Sequence, residues 1–210
     1  MVVASVAVQV QAQFDQILIG YLLPEEELGQ YAAALRLVAA LAFVPVVFHA
    51  ASSPEVARAK VASELLYRVR LHRLYCGMVV VGAAGALFLA LFPELLVRTL
   101  LGPQYGGASV LLPVMGLRLL FTGLGVARGL YIANEGLFRF AMLGAVGGAV
   151  LSMGLNVWWV PRWGLWGAVA ASFASLTFTT FAVDAVVPAM RRNCGLMIRA
   201  LVMPWRGLQR

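Results

Sequence analysis

The composition of this 210-residue chain excludes an ordinary water-soluble domain, because 62% of its residues are hydrophobic and only 12% are charged. Soluble domains carry about 45–50% apolar and about 25% charged residues. The formal net charge is +7, and an arginine excess of this kind is expected in the cytoplasmic loops of a membrane protein, so we do not expect a nucleic-acid partner. The two cysteines, Cys76 and Cys194, are too few and too far apart to indicate a disulfide framework.

Six stretches are long and apolar enough to cross a bilayer, which requires about 20 mostly apolar residues per helix. They cover about residues 2–22, 29–50, 74–92, 107–131, 138–160 and 164–189. We therefore predict an all-α integral membrane protein in which residues 1–190 form a six-transmembrane-helix bundle. Residues 53–73 form an amphipathic cytoplasmic segment, expected to be a helix at the membrane interface, and residues 191–210 form a basic amphipathic cytoplasmic tail. The N-terminus has no basic leader region, so we do not expect a cleavable signal peptide.

The basic residues of the connections between these spans segregate to alternate sides. The first, third and fifth connections hold only Arg98 and Arg162. The second, fourth and sixth, the last being the tail, hold eleven: Arg58, Lys60, Arg68, Arg70, Arg73, Arg139, Arg191, Arg192, Arg199, Arg206 and Arg210. Because positive charge favours the cytoplasmic side, both termini are predicted to be cytoplasmic.

The first predicted span carries polar side chains within an apolar run, AVQVQAQFDQILIG at residues 7–20. Gln9, Gln13 and Gln16 lie on one helical face, and Gln11 and Asp15 lie roughly opposite. One interpretation is hydrogen bonding between neighbouring helices. The other is that one face lines a hydrated cavity, or that Asp15 pairs with an arginine inside the membrane.

Arg36, Arg118 and Arg128 fall inside predicted spans. An ionised side chain at mid-bilayer costs about 2.5–3.5 kcal/mol even on the gentlest scale, so such residues face protein or water rather than lipid. Arginine binds phosphate through two parallel hydrogen bonds and stays charged. Several arginines in a partly wet cavity fit an anionic substrate such as a diphosphate. Structural salt bridges are the alternative for Arg36 and Arg118, and extension to the inner headgroups is the alternative for Arg128.

Helical spacing places small residues around two of these arginines. Alanines lie one turn away on either side of Arg36, at positions 32, 33, 39 and 40. Arg118 shares a face with Thr122, Gly125 and Gly129, one turn after Pro113. Small residues permit close approach of another helix or leave open volume.

Neither enzymatic chemistry nor a cofactor is indicated by the sequence. For the only histidines, His49 and His72, we expect no Cys, His or carboxylate at ligand spacing, so no metal site is expected. No phosphate-binding GxxxxGK[ST] motif occurs. We expect a protein that is not an enzyme and that carries no cofactor.

Three segments resemble the second, C-terminal lobe of bacterial polysaccharide flippases, the exporters of O-antigen and capsule repeat units within the multidrug/oligosaccharidyl-lipid/polysaccharide transporter superfamily. The first begins FDQILIGYLLPEEELGQYAAALR at residue 14 and contains the pattern GxYxAAxR. The second is LLGPQYGGASVLLPVMGLRLLFTGLGVARGLYIANEG, residues 100–136, and the third is LNVWWVPRWGLWGAVAASFAS, residues 155–175. They occur in the order in which that family has them.

The resemblance implies a transporter of the bacterial inner membrane that moves undecaprenyl-diphosphate-linked oligosaccharides, used in polysaccharide and lipopolysaccharide biosynthesis, by alternating access. Asp15, Tyr31, Arg36 and Arg128 match positions of the family pattern, and with Gln11 and Arg118 they are the candidate cavity residues. Six helices correspond to one of two lobes, so the expected partners are lipid-linked oligosaccharide, membrane lipids and a second six-helix lobe, either a separate chain or a second copy. The alternatives are a non-transporting scaffold or truncated relic of a polysaccharide assembly system, and a drug or cation exporter lobe of the same superfamily.

Overall fold

The structure is a computed structural model that describes residues 14 and 16–204. Nearly all of these residues are helical and none of them lies in a strand, so the expectation of an all-α chain is confirmed for this part. Residues 16–22 are helical (α1). The helices that follow are α2 (Glu25–Leu41), α3 (Phe43–Ala62), α4 (Glu64–Leu91), α5 (Pro93–Leu100), α6 (Ala108–Gly116), α7 (Arg118–Glu135), α8 (Phe138–Thr177), α9 (Val183–Val186) and α10 (Arg191–Val202).

Four helical stretches within the described residues are long and apolar enough to cross a membrane: Glu25–Ala62, Glu64–Leu91, Ala108–Glu135 and Phe138–Val186. This supports a membrane protein by length and composition. Most of the predicted first span, including Gln9, Gln11, Gln13 and Asp15, lies outside the described residues, as does the end of the tail.

Prolines account for bends in two of these stretches. Between α2 and α3 only Ala42 intervenes, and Pro45, three residues later, has no N–H to donate to the Leu41 carbonyl. Between α6 and α7 the Leu117 N–H donates to Val114 O at 3.1 Å, a tightened i to i−3 bond one turn after Pro113. Arg118 is therefore the first residue of a new helix, next to a backbone irregularity.

The predicted amphipathic segment 53–73 is divided in the structure. Ser63 has extended backbone angles, φ −168° and ψ 137°, and separates α3 from α4. Arg58 and Lys60 therefore belong to the end of α3, whereas Arg68, Arg70 and Arg73 belong to the first turns of the long helix α4.

The chain reverses direction at Gly164, where φ is 55° and ψ −137° inside α8. The two halves pack against each other as a hairpin, because the Ser175 hydroxyl donates to the Gly148 carbonyl at 2.8 Å. Gly144 faces Val183 one turn further from the bend. A π-helical turn, Phe178–Ala182, then leads into α9. Glycine fits Gly164 because side chains rarely adopt its positive φ.

Contacts between the helix ends place the basic connections together. Lys60 of α3 forms an ion pair with Glu135 at the end of α7, close to the start of α4. At the opposite end, the Gln30 carboxamide bonds the connection before α6: its Nε2 donates to Gln104 O at 3.0 Å, and its Oε1 accepts from Ala108 N at 2.9 Å. We call the end of the bundle that holds Lys60, Glu135 and α10 the basic end.

Candidate functional site

A buried polar network connects the basic ends of α7, α9 and α10. The Arg128 Nε donates to Asp184 Oδ1 at 2.8 Å, and its Nη2 lies 2.7 Å from the same oxygen. The side chain of Asp184 is fully buried and that of Arg128 is 8% exposed. Arg128 therefore does not reach the surface, and its charge is compensated within the protein.

Asn193 extends this network to α4. Its Nδ2 donates to Asp184 Oδ2 at 2.8 Å, and its Oδ1 accepts from the Tyr75 hydroxyl at 2.7 Å. Asn193 and Tyr75 are both fully buried. In addition, the Tyr131 hydroxyl donates to Ala189 O at 2.9 Å, in the turn before α10. These bonds hold α10 against the bundle. If α10 moved away, the buried polar groups that it contacts would lose their hydrogen-bond partners.

Arg36 lies on the exposed face of α2. Its neighbours Tyr31, Ala33, Ala34, Leu37 and Val38 are buried in the core, whereas Arg36, Ala39 and Ala40 are exposed. No carboxylate of the described residues forms an ion pair with Arg36. An uncompensated arginine on an apolar helix of membrane length needs water or another polar partner beside it.

Arg118 begins an open face of α7. Its backbone carbonyl accepts a hydrogen bond from the Thr122 hydroxyl at 3.0 Å, and its side chain is half-buried, with no ion pair to a described residue. Further along the same face, an added Cβ at Gly125 or Gly129 would meet no atom within 4 Å. The opposite face is tightly packed, since a Cβ at Gly123 would lie 3.1 Å from Met78 O of α4.

The remaining candidates from the sequence fall into two groups. Tyr31 is 1% exposed and belongs to a hydrophobic core cluster with Leu112 and Met115 of α6, so it supports the packing of α2. Gln11 and Asp15 lie outside the described residues. Among the described candidates, neither Tyr31, Arg36 nor Arg118 pairs with Arg128, whose partner is Asp184.

A cavity of about 670 Å³ opens at the basic end, between α4, α7 and α10. Charged residues form much of its wall: Glu64, Arg68, Glu135, Arg192 and Arg199. The sequence did not predict it, because its three walls are far apart along the chain. The only signal was the amphipathic spacing of α10, whose buried Cys194, Met197 and Ala200 require a packing surface.

Metal ligands do not cluster among the described residues: no group of three or more His, Cys, Asp or Glu side chains could hold an ion. His72 Nε2 lies 3.6 Å from Cys76 Sγ, one helical turn later in α4, so the expectation that His72 has no cysteine at ligand spacing was wrong. Burial, reinforced by the charge of Asp184, raises the pKa of the Cys194 thiol, so this cysteine is not an activated nucleophile.

Comparisons with protein-family models, with curated proteins and with solved structures find no match to this chain. A function is therefore argued from the positions of its charges. Within the described helices of membrane length, Asp184 is paired with Arg128, whereas Arg36 and Arg118 are not paired with a described carboxylate.

Proposed function

We propose that this chain is one six-helix lobe of a flippase that moves undecaprenyl-diphosphate-linked oligosaccharides across the inner membrane by alternating access. The proposal combines the resemblance of residues 14–60, 100–136 and 155–175 to polysaccharide flippases with the positions of the in-span charges. The proposed lobe includes the first span, whose polar face adds Asp15 and Gln11 to the cavity. No catalytic residue or cofactor is required, because the step is translocation.

The observation that carries the proposal is that Arg36 and Arg118 form no ion pair with any carboxylate of the described residues. Both lie on open helix faces bordered by small residues, Ala39 and Ala40 in α2 and Gly125 and Gly129 in α7. A diphosphate is a suitable counter-ion, because guanidinium groups bind phosphate oxygens through charge-assisted hydrogen bonds. Small neighbouring side chains leave room for the attached sugars.

A second lobe is part of the proposal, because six helices enclose only half of a two-lobe cavity. Exposed apolar side chains of α3, such as Phe43, Val44 and Val47, suit contact with lipid or with that lobe. The partner is either a separate chain or a second copy of this one.

A drug or cation exporter is the less favoured alternative. Such a transporter needs acidic groups in its cavity. Asp184 is held by Arg128 and Asn193, which leaves one proposed cavity acid, Asp15, against the two arginines Arg36 and Arg118. If the chain is instead a non-transporting scaffold of the same assembly system, the in-span arginines are dispensable for export. The experiment below therefore separates a scaffold from a flippase.

The experiment is complementation of bacterial cells that lack their repeat-unit flippase, with this chain produced together with its partner lobe. Arg36→Ala and Arg118→Ala are expected to abolish surface polysaccharide while membrane levels of the protein stay unchanged, because neither side chain supports the core. Arg98→Ala is the matched control: Arg98 is exposed and lies 3.8 Å from Glu94 in α5, outside the predicted spans. If the Ala and Lys variants of an arginine both export normally, that arginine does not bind the diphosphate.

A further inference from the structure

We propose that the cavity at the basic end, between α4, α7 and α10, is a binding site for a phosphate group. It is formed by residues other than the in-span arginines and stands independently of the flippase proposal. Its volume, about 670 Å³, is larger than a phosphate alone and accommodates the group to which the phosphate is attached. The phosphate group belongs either to a lipid headgroup or to free inorganic phosphate, and the experiment below distinguishes these two sources.

The charges in the cavity wall are unbalanced in favour of an anion. Glu64 accepts a hydrogen bond from Arg68 Nε at 3.0 Å and lies 3.5 Å from Lys60 Nζ. Lys60 also pairs with Glu135. Both carboxylates are thus compensated by Lys60 and Arg68.

Arg192 and Arg199, in contrast, line the cavity without an ion pair to any described carboxylate. They lie two turns apart on one face of α10. Two surplus positive charges match a phosphate monoester, which carries about −1.5 to −2 charges near pH 7.

The N-terminus of α10 adds to this field. The helix has 12 residues, no acidic residue in its first turn and no side-chain cap at its first N–H groups. Arg191 and Arg192 instead occupy that turn, although cations are disfavoured at the positive end of the helix dipole. A bound anion offsets the repulsion and interacts favourably with the positive end of the helix dipole.

A buried hydroxyl in the same wall supplies an independent indication of a ligand. Tyr67 lines the cavity and is 1% exposed, yet its hydroxyl has no hydrogen-bond partner of good geometry among the described residues. The Asn134 side chain interacts with the oxygen of this hydroxyl but does not line the cavity, so the Tyr67 O–H is left without an acceptor. Unpaired buried polar groups are costly and rare in native proteins. A phosphate oxygen is an acceptor of the kind that the Tyr67 O–H lacks.

The test measures binding to the full-length chain, purified in a phosphate-free detergent. Dioleoylphosphatidate and sodium phosphate are the two probes, and dioleoylglycerol is the lipid without phosphate. We expect Arg192→Gln and Arg199→Gln each to weaken binding about tenfold or more, as loss of a charge-assisted contact does. Arg191→Gln is the matched control, because Arg191 is in the same turn but does not line the cavity and its Nε donates to Ala185 O. We expect that control to change affinity less than about threefold.

The outcomes separate the sources and can overturn the site. Phosphatidate bound without competition from sodium phosphate indicates a lipid headgroup, whereas equal competition indicates that phosphate alone suffices. Tyr67→Phe, which keeps the buried ring, is expected to weaken binding of the same probe. If neither probe binds more tightly than dioleoylglycerol, or if Arg191→Gln weakens binding as much as Arg192→Gln, the proposal is overturned. Export that depends on Arg36 and Arg118 is unaffected by either result.

Discussion

Arg128 and Asp184 form an ion pair across 56 residues of sequence, with Arg128 Nε donating to Asp184 Oδ1 at 2.8 Å in a buried site. The pair joins the end of α7 to α9, the short helix after the α8 hairpin. Through Asn193 it also fixes α10, so three segments of the basic end depend on one carboxylate.

We predict that Asp184→Ala and Arg128→Ala each destabilise the protein by about 3–5 kcal/mol, because each leaves an opposite charge buried without compensation. The measurement is thermal or denaturant unfolding of the purified chain in detergent. The double variant Arg128→Ala with Asp184→Ala is expected to lose less than the sum of the single variants, since it removes both charges together. Additive losses would show that the two side chains do not interact.

The hairpin turn in α8 provides a second prediction. A methyl group at Gly167 would overlap the Trp159 carbonyl oxygen and the Val160 nitrogen, which are backbone atoms that cannot move aside easily. Gly167→Ala is therefore expected to destabilise the fold by about 1–3 kcal/mol. The control is Gly154→Ala in the same helix, where an added Cβ meets nothing within 4 Å and the change is expected to be neutral or slightly stabilising. If Gly167→Ala and Gly154→Ala change the stability equally, Gly167 is not in close contact with the backbone of residues 159 and 160.

Much of the helical framework was predictable from local sequence. Long apolar runs and proline positions indicate helices and bends, and the small residues around Arg36 and Arg118 indicate open faces. The prediction of one amphipathic helix over residues 53–73 was less accurate, because the break at Ser63 is not marked by a proline or a glycine. The two helices that the break separates, α3 and α4, pack against each other, and a local pattern does not contain that tertiary contact.

The partner of Arg128 was not predictable for a related reason. Spacing along one helix gives the direction of a side chain but not which residue of a distant helix it meets. From the sequence, Arg128 was expected either in the cavity or extended to the headgroups, whereas the structure buries it against Asp184. The cavity likewise depends on how α10 docks, through Asn193, onto α4 and α9.

The proposed orientation in the membrane predicts which end is accessible from outside the cell. In a variant with Cys76→Ala and Cys194→Ala, Glu94→Cys in α5 is expected to react with a membrane-impermeant maleimide in intact cells. Arg58→Cys in α3 is expected to react only after the membrane is opened, because it lies with the basic connections. Both native side chains are exposed, so burial does not explain a difference. Labelling of Arg58→Cys in intact cells would show that the orientation is the opposite of the proposed one.

Cys194 is predicted to react slowly with alkylating reagents near neutral pH. Burial and the charge of Asp184 raise the pKa of its thiol, so the reactive thiolate is scarcer than at a free cysteine, whose pKa is about 8.5. In a Cys76→Ala variant the alkylation rate should still be rising at pH values where a free thiol has already levelled off. A rate that levels off at the same pH as free cysteine would contradict the raised pKa.

The open face of α7 gives a prediction that separates folding from transport. Gly125→Phe is expected to change the free energy of unfolding by less than about 1 kcal/mol, because nothing lies within 4 Å of an added Cβ. The same ring would fill space beside Arg118 and is expected to abolish polysaccharide export. Gly123→Phe, two residues away, is the control: it would meet Met78 O of α4, so both folding and export should be lost. Normal export by a stably folded Gly125→Phe variant would place the substrate path elsewhere than on this face.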